Sequence, residues 1–338
     1  MTVLVTGAAG FIGSHALVEL LGSGRNVVGV DDYSRSSSES VRRAEDLAGR
    51  RLDAMCQLDL RDTAGLAEIF RRYGIESVIH LAGFKSVSES VQNPVEYFNV
   101  NVGGALSLLT AAKAHHVNQF VFSSSCTVYG DLPPDQMPLR EDSVRVPVNP
   151  YGRTKLQIEE MFEALCESDA SASVISLRYF NPIGAHQSGI IGEDTAARPT
   201  SLLPHVMQAA LGQSDHVKVF GADYPTSDGT AVRDYVHIVD LARGHISALD
   251  RLHEPGFRAV NLGTGTGSSV LDVVKAASKV IGREIDYSIE PRRPGDAAVV
   301  YADPGAALEL LGWKAEFNLE QMCADHWAWQ KSNPHGYR

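Results

Sequence analysis

The sequence predicts an α/β fold, a doubly wound parallel sheet joined to a smaller C-terminal α/β domain. Three observations carry that expectation. The first half alternates short apolar runs with amphipathic segments, the pattern of parallel strands covered by helices. The opening segment, VLVTGAAGFIGSHALVELL, runs strand, glycine turn, helix. The 338 residues also exceed what one ordinary core organises, so two closely joined units are expected.

In chain order, strands are expected over residues 3–6, 26–30, 51–58, 77–81, 119–123 and 173–178, each a short, largely apolar run. Helices are expected to begin near Gly10, Asp62, Pro94 and Tyr151. Asn93 can cap the third of these and Pro94 fits its first turn. Over residues 94–115, Phe98, Val102, Leu106, Leu109 and Ala112 fall at helical spacing, which predicts one buried face and leaves core and dimer contact both open. After about Asn181, Gly, Pro, Ser and Thr punctuate residues 182–200 and 221–230, which read as long loops. Residues 234–249 again read as a helix and 259–263 as a buried strand. Their return to the first unit gives an interleaved division, residues 1–180 with 234–263 in one domain and 181–338 in the other. The end, KSNPHGYR, is expected to lie on the surface.

A hydrophobic fraction of 44% with 21% charged residues is ordinary for a soluble globular protein. The net charge of -11 argues against a broad phosphate-backbone surface, so no nucleic-acid partner is expected. A small anionic ligand stays compatible, because a few arginines in a cleft outweigh a distant field. Cys56, Cys126, Cys166 and Cys323 are scattered without a C-x-x-C pair, which fits free thiols in a reducing compartment. No basic-then-apolar leader and no membrane-length apolar run stands out, so a cytoplasmic protein with no membrane partner is expected. The twelve histidines show no convincing metal spacing, and no metal is expected.

Gly7, Gly10 and Gly13 stand in a G-x-x-G-x-x-G spacing between strand and helix. Glycine permits the tight turn, lets backbone amides approach a pyrophosphate and lets helix and strand pack closely. The phosphates then sit at the positive start of the helix, near Phe11 and Ile12. Asp31, after the next strand, is placed to accept hydrogen bonds from an adenosine ribose and to repel an added 2′-phosphate. A Rossmann-type site for NAD, rather than NADP, follows. Arg35 stands close enough to soften that repulsion. Asp59 reads either as a contact to the adenine amino group or as a turn residue after a strand.

Tyr151 and Lys155 lie four apart on one helix face, with the hydroxyl run FSSSCTVYG upstream. Free tyrosine has a pKa of about 10, and lowering it toward about 7 needs roughly 4 kcal/mol of preferential stabilisation of the anion. Lys155, a positive nicotinamide ring and the Ser125 hydroxyl together can supply that. The pattern points to proton and hydride movement at a carbinol carbon. Taken alone, Ser125 reads equally as a strand-end hydroxyl.

With these groups taken together, the chain resembles the extended short-chain dehydrogenase/reductases. Within them it is most similar to the UDP-glucose (UDP-galactose) 4-epimerases. The similarity runs through GAAGFIGSH, HLAGFKSVSESV, FSSSCTVYGD, NPYGRTKL, LRYFNPIGAH, FGADYPTSDGTAVRDYVHIVDLA, VNLGTGTGSSVLDVV and EPRRPGD. It implies that Tyr151 as phenolate takes the proton of a sugar 4-hydroxyl while hydride passes to NAD, with Ser125 bonded to the same oxygen. Lys155 would hold the tyrosine pKa down, and the 4-ketopyranose would turn over and be reduced on its other face. It further implies that Asp32, Tyr33, Ser36, Leu60, Leu81, Ala82, Gly83 and Lys85 line the cofactor, with Phe180 beside the nicotinamide. Asn181, Ser201, Leu202, Lys218, Val219, Phe220, Arg233, Tyr235, Arg293 and Asp296 would hold the UDP-sugar, with Lys85 also reaching it. A homodimer paired through helices near residues 94–115 and 152–165 is implied as well.

Related dehydratases carry an Asp-Glu pair after the serine run, where this chain has Cys126-Thr127, so the acid and base that expel water are missing. A decarboxylase, another UDP-sugar epimerase and a non-catalytic NAD-binding sensor are the rival readings. Three positions depart from the family pattern. Val100 replaces a common asparagine, which moves a cofactor hydrogen bond to Asn101 or removes it. Ser201 replaces an asparagine at the substrate diphosphate. Val300 stands where some members carry a bulky tyrosine beside the sugar 2-position, and a small residue there implies room for UDP-GlcNAc and UDP-GalNAc, unless Tyr301 swings in.

Overall fold

The computed structural model describes residues 1–194, 201–293 and 296–338. Part of the expected loop 182–200, and Pro294-Gly295 of the EPRRPGD motif, therefore lie outside the described residues. Along the chain, β1 (Thr2–Thr6) leads through the glycine turn into α1 (Phe11–Gly22), and β2 (Asn26–Asp31) into α2 (Ser38–Ala48). β3 (Ala54–Gln57), α3 (Thr63–Tyr73) and β4 (Ser77–His80) follow, then α4 (Val87–Gln92), α5 (Pro94–Tyr97) and α6 (Gly104–Ala114). β5 (Gln119–Ser125), α7 (Pro150–Ser168) and β6 (Ser173–Tyr179) complete this half. The remainder runs β7 (Asn181–Ile183), α8 (Leu202–Ala210), β8 (Val217–Phe220), β9 (Val232–His237), α9 (Ile238–Leu249) and β10 (Gly256–Leu262). It continues as β11 (Gly267–Ser269), α10 (Val270–Ile281), β12 (Tyr287–Glu290), β13 (Val299–Val300), α11 (Gly305–Leu311) and α12 (Leu319–Ser332).

Seven parallel strands form the main sheet in the order β10-β6-β5-β4-β1-β2-β3. Successive residues of β1 feed opposite faces. Val3 and Val5 pack with Leu17 and Leu20 of α1 and with Ile238 and Leu241 of α9. Leu4 packs with Leu66, Phe70, Leu108, Phe120 and Phe162 on the other face. β1 pairs with β2 on one side and β4 on the other, so the winding direction reverses there. A crevice opens at the carboxyl ends of strands at such a switch point, which is where ligands bind in folds of this kind. A third core joins α8, α10 and α12 to β8 and β9 through Leu203, Val206, Met207, Val217, Val219, Val273 and Met322.

Several expectations need correction. The helix expected over 234–249 begins at Ile238, because residues 232–237 are strand β9 and the His237 side chain caps the helix by accepting from the Val239 amide. The face expected to be buried on residues 94–115 is buried only in part: Ala112 lies in the core and Val102 and Leu109 pack against it, but Leu106 faces solvent. Residues Phe98–Gly103 form a widened π turn between α5 and α6. That turn brings Tyr97, Asn101, Ala105 and Leu108 inward and leaves Leu106 58% exposed and Val95 80% exposed. The C-terminal segment does not simply lie on the surface: Tyr337 is buried against Trp329 and its hydroxyl bonds Gly192.

One ion pair sits deep in the fold. Arg178 of β6 donates from Nε and Nη2 to Glu159 of α7 at 3.0 and 2.9 Å, and both residues are almost wholly buried. Ser176 and Arg145 add further donors to the same carboxylate, so its desolvation is offset on several sides. No helix among the described residues is long and apolar enough to cross a membrane.

Candidate active site

The glycine turn builds the first wall of the crevice. Gly7 has φ +70°, and a Cβ there would stand 2.8 Å from the Ala82 amide nitrogen. A Cβ on Gly13 would stand 2.1 Å from the Gly7 carbonyl oxygen, so α1 can approach the turn only with glycine at this position. Gly10 caps α1 without a side-chain bond, and the amides of Phe11, Ile12 and Gly13 are left pointing out of the helix start. This is a fitting cradle for a dinucleotide pyrophosphate.

Asp31, at the end of β2, is held in place by its own surroundings. Its carboxylate accepts the Ala9 amide at 2.9 Å, the Tyr33 amide at 2.9 Å and the Ser36 hydroxyl at 2.7 Å. Asp32 instead closes an exposed turn by accepting from the amide and hydroxyl of Ser34. Arg35 is not free to soften the field of Asp31. It forks onto Glu89 at 2.6 and 2.5 Å and lies 3.7 Å over the Phe84 ring. Asp59 is engaged by Arg61 through backbone and side chain, which favours the turn alternative, and Leu60 packs beneath Gly104. Leu81, Ala82 and Gly83 follow β4 directly and face the glycine turn. Asn101 is no cofactor donor: its amide group accepts from the Phe84 amide and donates to the Phe84 carbonyl and to Thr154. It is a clamp between this segment and α7.

The catalytic candidates meet at the carboxyl end of β5. Asn149 caps α7 by accepting the Gly152 amide at 2.8 Å, with Pro150 in the first turn. A Cβ on Gly152 would stand 2.7 Å from the Thr127 carbonyl oxygen, so glycine lets the first turn of α7 lie against the segment after β5. This brings Tyr151 near Ser125, whose hydroxyl works against the rise that burial causes in the phenol pKa. Ser125 also accepts from the Thr127 amide at 3.2 Å and hydroxyl at 3.0 Å. Lys155 is buried, donates to the Ser123 carbonyl at 2.6 Å and stands 5.9 Å from the Tyr151 ring centre.

The electrostatics depart from the simple expectation of a phenol held down by its lysine. Burial raises the Tyr151 pKa, with Ser125 opposing, and Lys155 is not among the groups that move it. Burial also lowers Lys155 itself to about 7, against which Glu159 one turn along acts weakly upward. Both groups pay the cost of desolvating a charge, so the anion depends on further positive charge at the site. Cys126 is a half-buried thiol pushed up to about 12 by desolvation, hence no nucleophile or acid of use at neutral pH.

Phe180 and Val300 fall in one apolar cluster with Val128, Leu139 and Cys126. Asn181 opens β7, which pairs with β9. Arg233 and Arg293 converge on Asp296, at 3.9 and 3.3 Å, and the Arg293 guanidinium lies 4.3 Å over Phe220. Lys218 is exposed, whereas the Val219 side chain is wholly buried in the third core, so only its backbone can reach a ligand. Tyr235 is likewise buried in that core, and Leu202 packs along its edge. Ser201 stands at the cap position of α8 without a side-chain capping bond. The sequence reading missed two organisers. Asp234 accepts from the amides of Thr264, Gly265 and Ala302 and fixes the loops around β9. Glu193 accepts Lys85 and Ser201. Neither belongs to a short motif that points to its role. No group of His, Cys, Asp or Glu among the described residues is arranged to hold a metal.

The buried lysine makes a testable demand on stability. Between pH 7 and 10.5 the unfolded chain keeps a proton on Lys155 that the folded protein has released. Stability of the ligand-free protein therefore rises with pH across that window through this group. Urea midpoints at pH 7 and pH 9 should show a smaller upward difference in Lys155→Met than in wild type; equal differences would disprove the assignment.

Comparison with known proteins agrees with this geometry along the whole chain. A model of the NAD dependent epimerase/dehydratase family matches residues 3–263. The UDP-glucose 4-epimerase of Bacillus subtilis is 49% identical over 339 residues, covering 100% of this chain and 99% of the relative. The crystal structure of UDP-glucose 4-epimerase from Bifidobacterium longum in complex with NAD+ and UDP aligns with a TM-score of 0.96 at 45% identity, covering 99% of this chain and 100% of that one. The UDP-Glc/GlcNAc 4-epimerase of Campylobacter jejuni aligns with a TM-score of 0.84 at 32% identity, covering 98% of this chain and 99% of that one. A glycine cradle, a fixed acidic residue after β2 and a Tyr-Lys-Ser cluster on one continuous match place the chain in the NAD-dependent epimerase/dehydratase family.

Proposed function

We propose that the protein interconverts UDP-glucose and UDP-galactose by reversible oxidation at C4 of the hexose, with NAD as a bound cofactor. The observation that carries this reading is the Tyr151–Ser125 pair at the end of β5, flanked by Cys126-Thr127 rather than by an acid and a base. The glycine turn, Asp31, Tyr33, Ser36 and the segment Leu81–Lys85 would hold the cofactor. Bound NAD supplies a two-electron acceptor and donor, so a C4 carbinol can become a ketone and be restored.

The chain's own groups do the rest. Tyr151 takes the proton of the sugar 4-hydroxyl on its phenol oxygen and later returns it to the same sugar oxygen. Ser125 hydrogen-bonds that oxygen and keeps the phenol in line. Lys155, fixed on the Ser123 carbonyl, adds positive charge behind the phenol and would hold the nicotinamide ribose. Arg233 and Arg293 grip the diphosphate, for which a planar fork is well suited. An anchor confined to the nucleotide leaves the hexose free to present either face.

The same reading assigns residues 1–180 with 234–263 to the cofactor domain and the rest of 181–338 to the UDP-sugar domain. The position of β10 beside β6 in the main sheet supports that division. Four free cysteines support a cytoplasmic setting. Exposed apolar side chains support a homodimer, because Val91, Val95 and Leu106 face solvent along α4 to α6. Val300, buried beside Phe180, supports acceptance of N-acetylated sugars. Tyr301 does not cover the gap: its ring points toward Gly267, whose added Cβ would lie 3.7 Å away.

Three measurements check this. Purified protein given UDP-glucose should yield UDP-galactose, with Tyr151→Phe slower by about 10³-fold and NAD still bound; carbon dioxide or a 4-keto-6-deoxy sugar as product would defeat the reading. UDP-GalNAc should be turned over by wild type and lost in Val300→Tyr, whereas no turnover by wild type removes the N-acetyl proposal. Sedimentation should give a dimer for wild type and a monomer for Leu106→Glu; a monomeric wild type rules the dimer out.

A further inference from the structure

Glu193 is a buried carboxylate that joins the two sides of the crevice through residues already assigned to it. Its Oε1 accepts the Lys85 ammonium at 2.8 Å and the Ser201 hydroxyl at 3.1 Å. Lys85 comes from the segment after β4 and is 56% exposed at its side chain, whereas the Glu193 side chain is 10% exposed. Ser201 occupies the cap position of α8 yet makes no capping bond, because its hydroxyl is turned toward Glu193 instead. The Lys85 ammonium also stands 5.8 Å from the Phe11 ring, at the open start of α1.

Glu193 itself is held by the far end of the chain. Its carbonyl accepts the Trp329 indole N–H at 2.9 Å. The neighbouring Gly192 gives its amide to the Tyr337 hydroxyl, which in turn donates to the Gly192 carbonyl. A Cβ on Gly192 would stand 2.4 Å from the indole ring, so the strap can lie this close only with glycine there. Burial raises the Glu193 carboxyl, but Lys85, His326 and Ser201 outweigh it and leave it below its ordinary value, hence ionised. A carboxylate so fixed is a rigid acceptor, and two mobile donors facing it lose their freedom before any ligand arrives.

We infer that Glu193 is a positioning residue, seated on Trp329 and Tyr337, that holds Lys85 and Ser201 in register so that a UDP-sugar meets a preassembled site. This rests on the assignment of Lys85 and Ser201 to the ligand crevice made above. The role is to orient, not to touch the reacting carbon. Its loss therefore raises KM and weakens UDP binding while leaving the chemical step at Tyr151 nearly untouched.

The test is a double-mutant cycle of Glu193→Gln and Lys85→Met, read by calorimetric titration with UDP and by steady-state kinetics with UDP-glucose. Glu193→Gln should weaken UDP binding and raise KM by about tenfold, the scale of one charge-assisted hydrogen bond, with kcat within about twofold. The double variant should lose clearly less UDP affinity than the two single losses summed, what remains beyond Lys85→Met alone being the Ser201 contact. Additive losses, unchanged or tighter UDP binding by Glu193→Gln, or a fall confined to kcat would each overturn the inference. Wild type that binds no UDP would overturn this and the proposed function together, whereas binding wild type with an indifferent Glu193→Gln overturns this alone. Should Glu193→Gln not fold, Ser201→Ala against Lys85→Met gives the same reading, since both donors share one acceptor: non-additive losses support the bridge and additive ones exclude it.

Discussion

The structure turns on the burial of one ammonium group. Lys155 enters the apolar edge of the sheet from the second turn of α7 and finds one strong acceptor, the Ser123 carbonyl at 2.6 Å. That bond ties the helix to the carboxyl end of β5, where Ser125 and Tyr151 then fall within reach of each other. A buried cation is costly unless paired, and its pKa falls accordingly. In the proposed reaction that cost has a use, since a lysine placed behind the phenol is the group that would favour its anion. The fully paired Glu159–Arg178 bridge below it shows the alternative, a charge pair whose bonds are all satisfied and which is inert.

Much of the first half is legible from sequence because its signals are local. The glycine spacing dictates a turn whose carbonyls and amides leave no room for a Cβ, and an added Cβ would stand 2.8 Å from backbone at Gly7 and 2.1 Å at Gly13. Six strands and the start of α7 appear near where apolar runs and the Asn149-Pro150 cap place them. What stayed hidden depends on distant partners. Arg35 reads as a neighbour of Asp31, yet Glu89, far along the chain, claims it. Asn101 reads as a spare donor, but both ends of its amide are used by Phe84 and Thr154. Glu193 lies in a stretch without periodicity, and its place is set by Trp329 and Tyr337 at the other end of the sequence.

The second half shows a related limit. Val219 and Tyr235 look like lining residues because they sit in segments shared with relatives, but their side chains are buried in the third core. On β8 the alternation leaves the neighbouring Lys218 exposed, whereas β9 is buried from Asp234 onward and only the half-buried Arg233 at its start reaches the Asp296 side chain. A matched segment thus gives the address of a wall without saying which residues face the room.

The widened turn at Phe98–Gly103 has a consequence for how the chain could change. It amounts to one surplus residue in a long helix, and that surplus decides which side chains look inward. Removing one residue there would restore ordinary winding and change the register between α5 and α6, so the inward set of Tyr97, Asn101, Ala105 and Leu108 could not be kept whole. Cofactor wall and outer surface would be lost in the same step, so insertions and deletions in this stretch are penalised twice over, while substitutions on its outer side remain cheap.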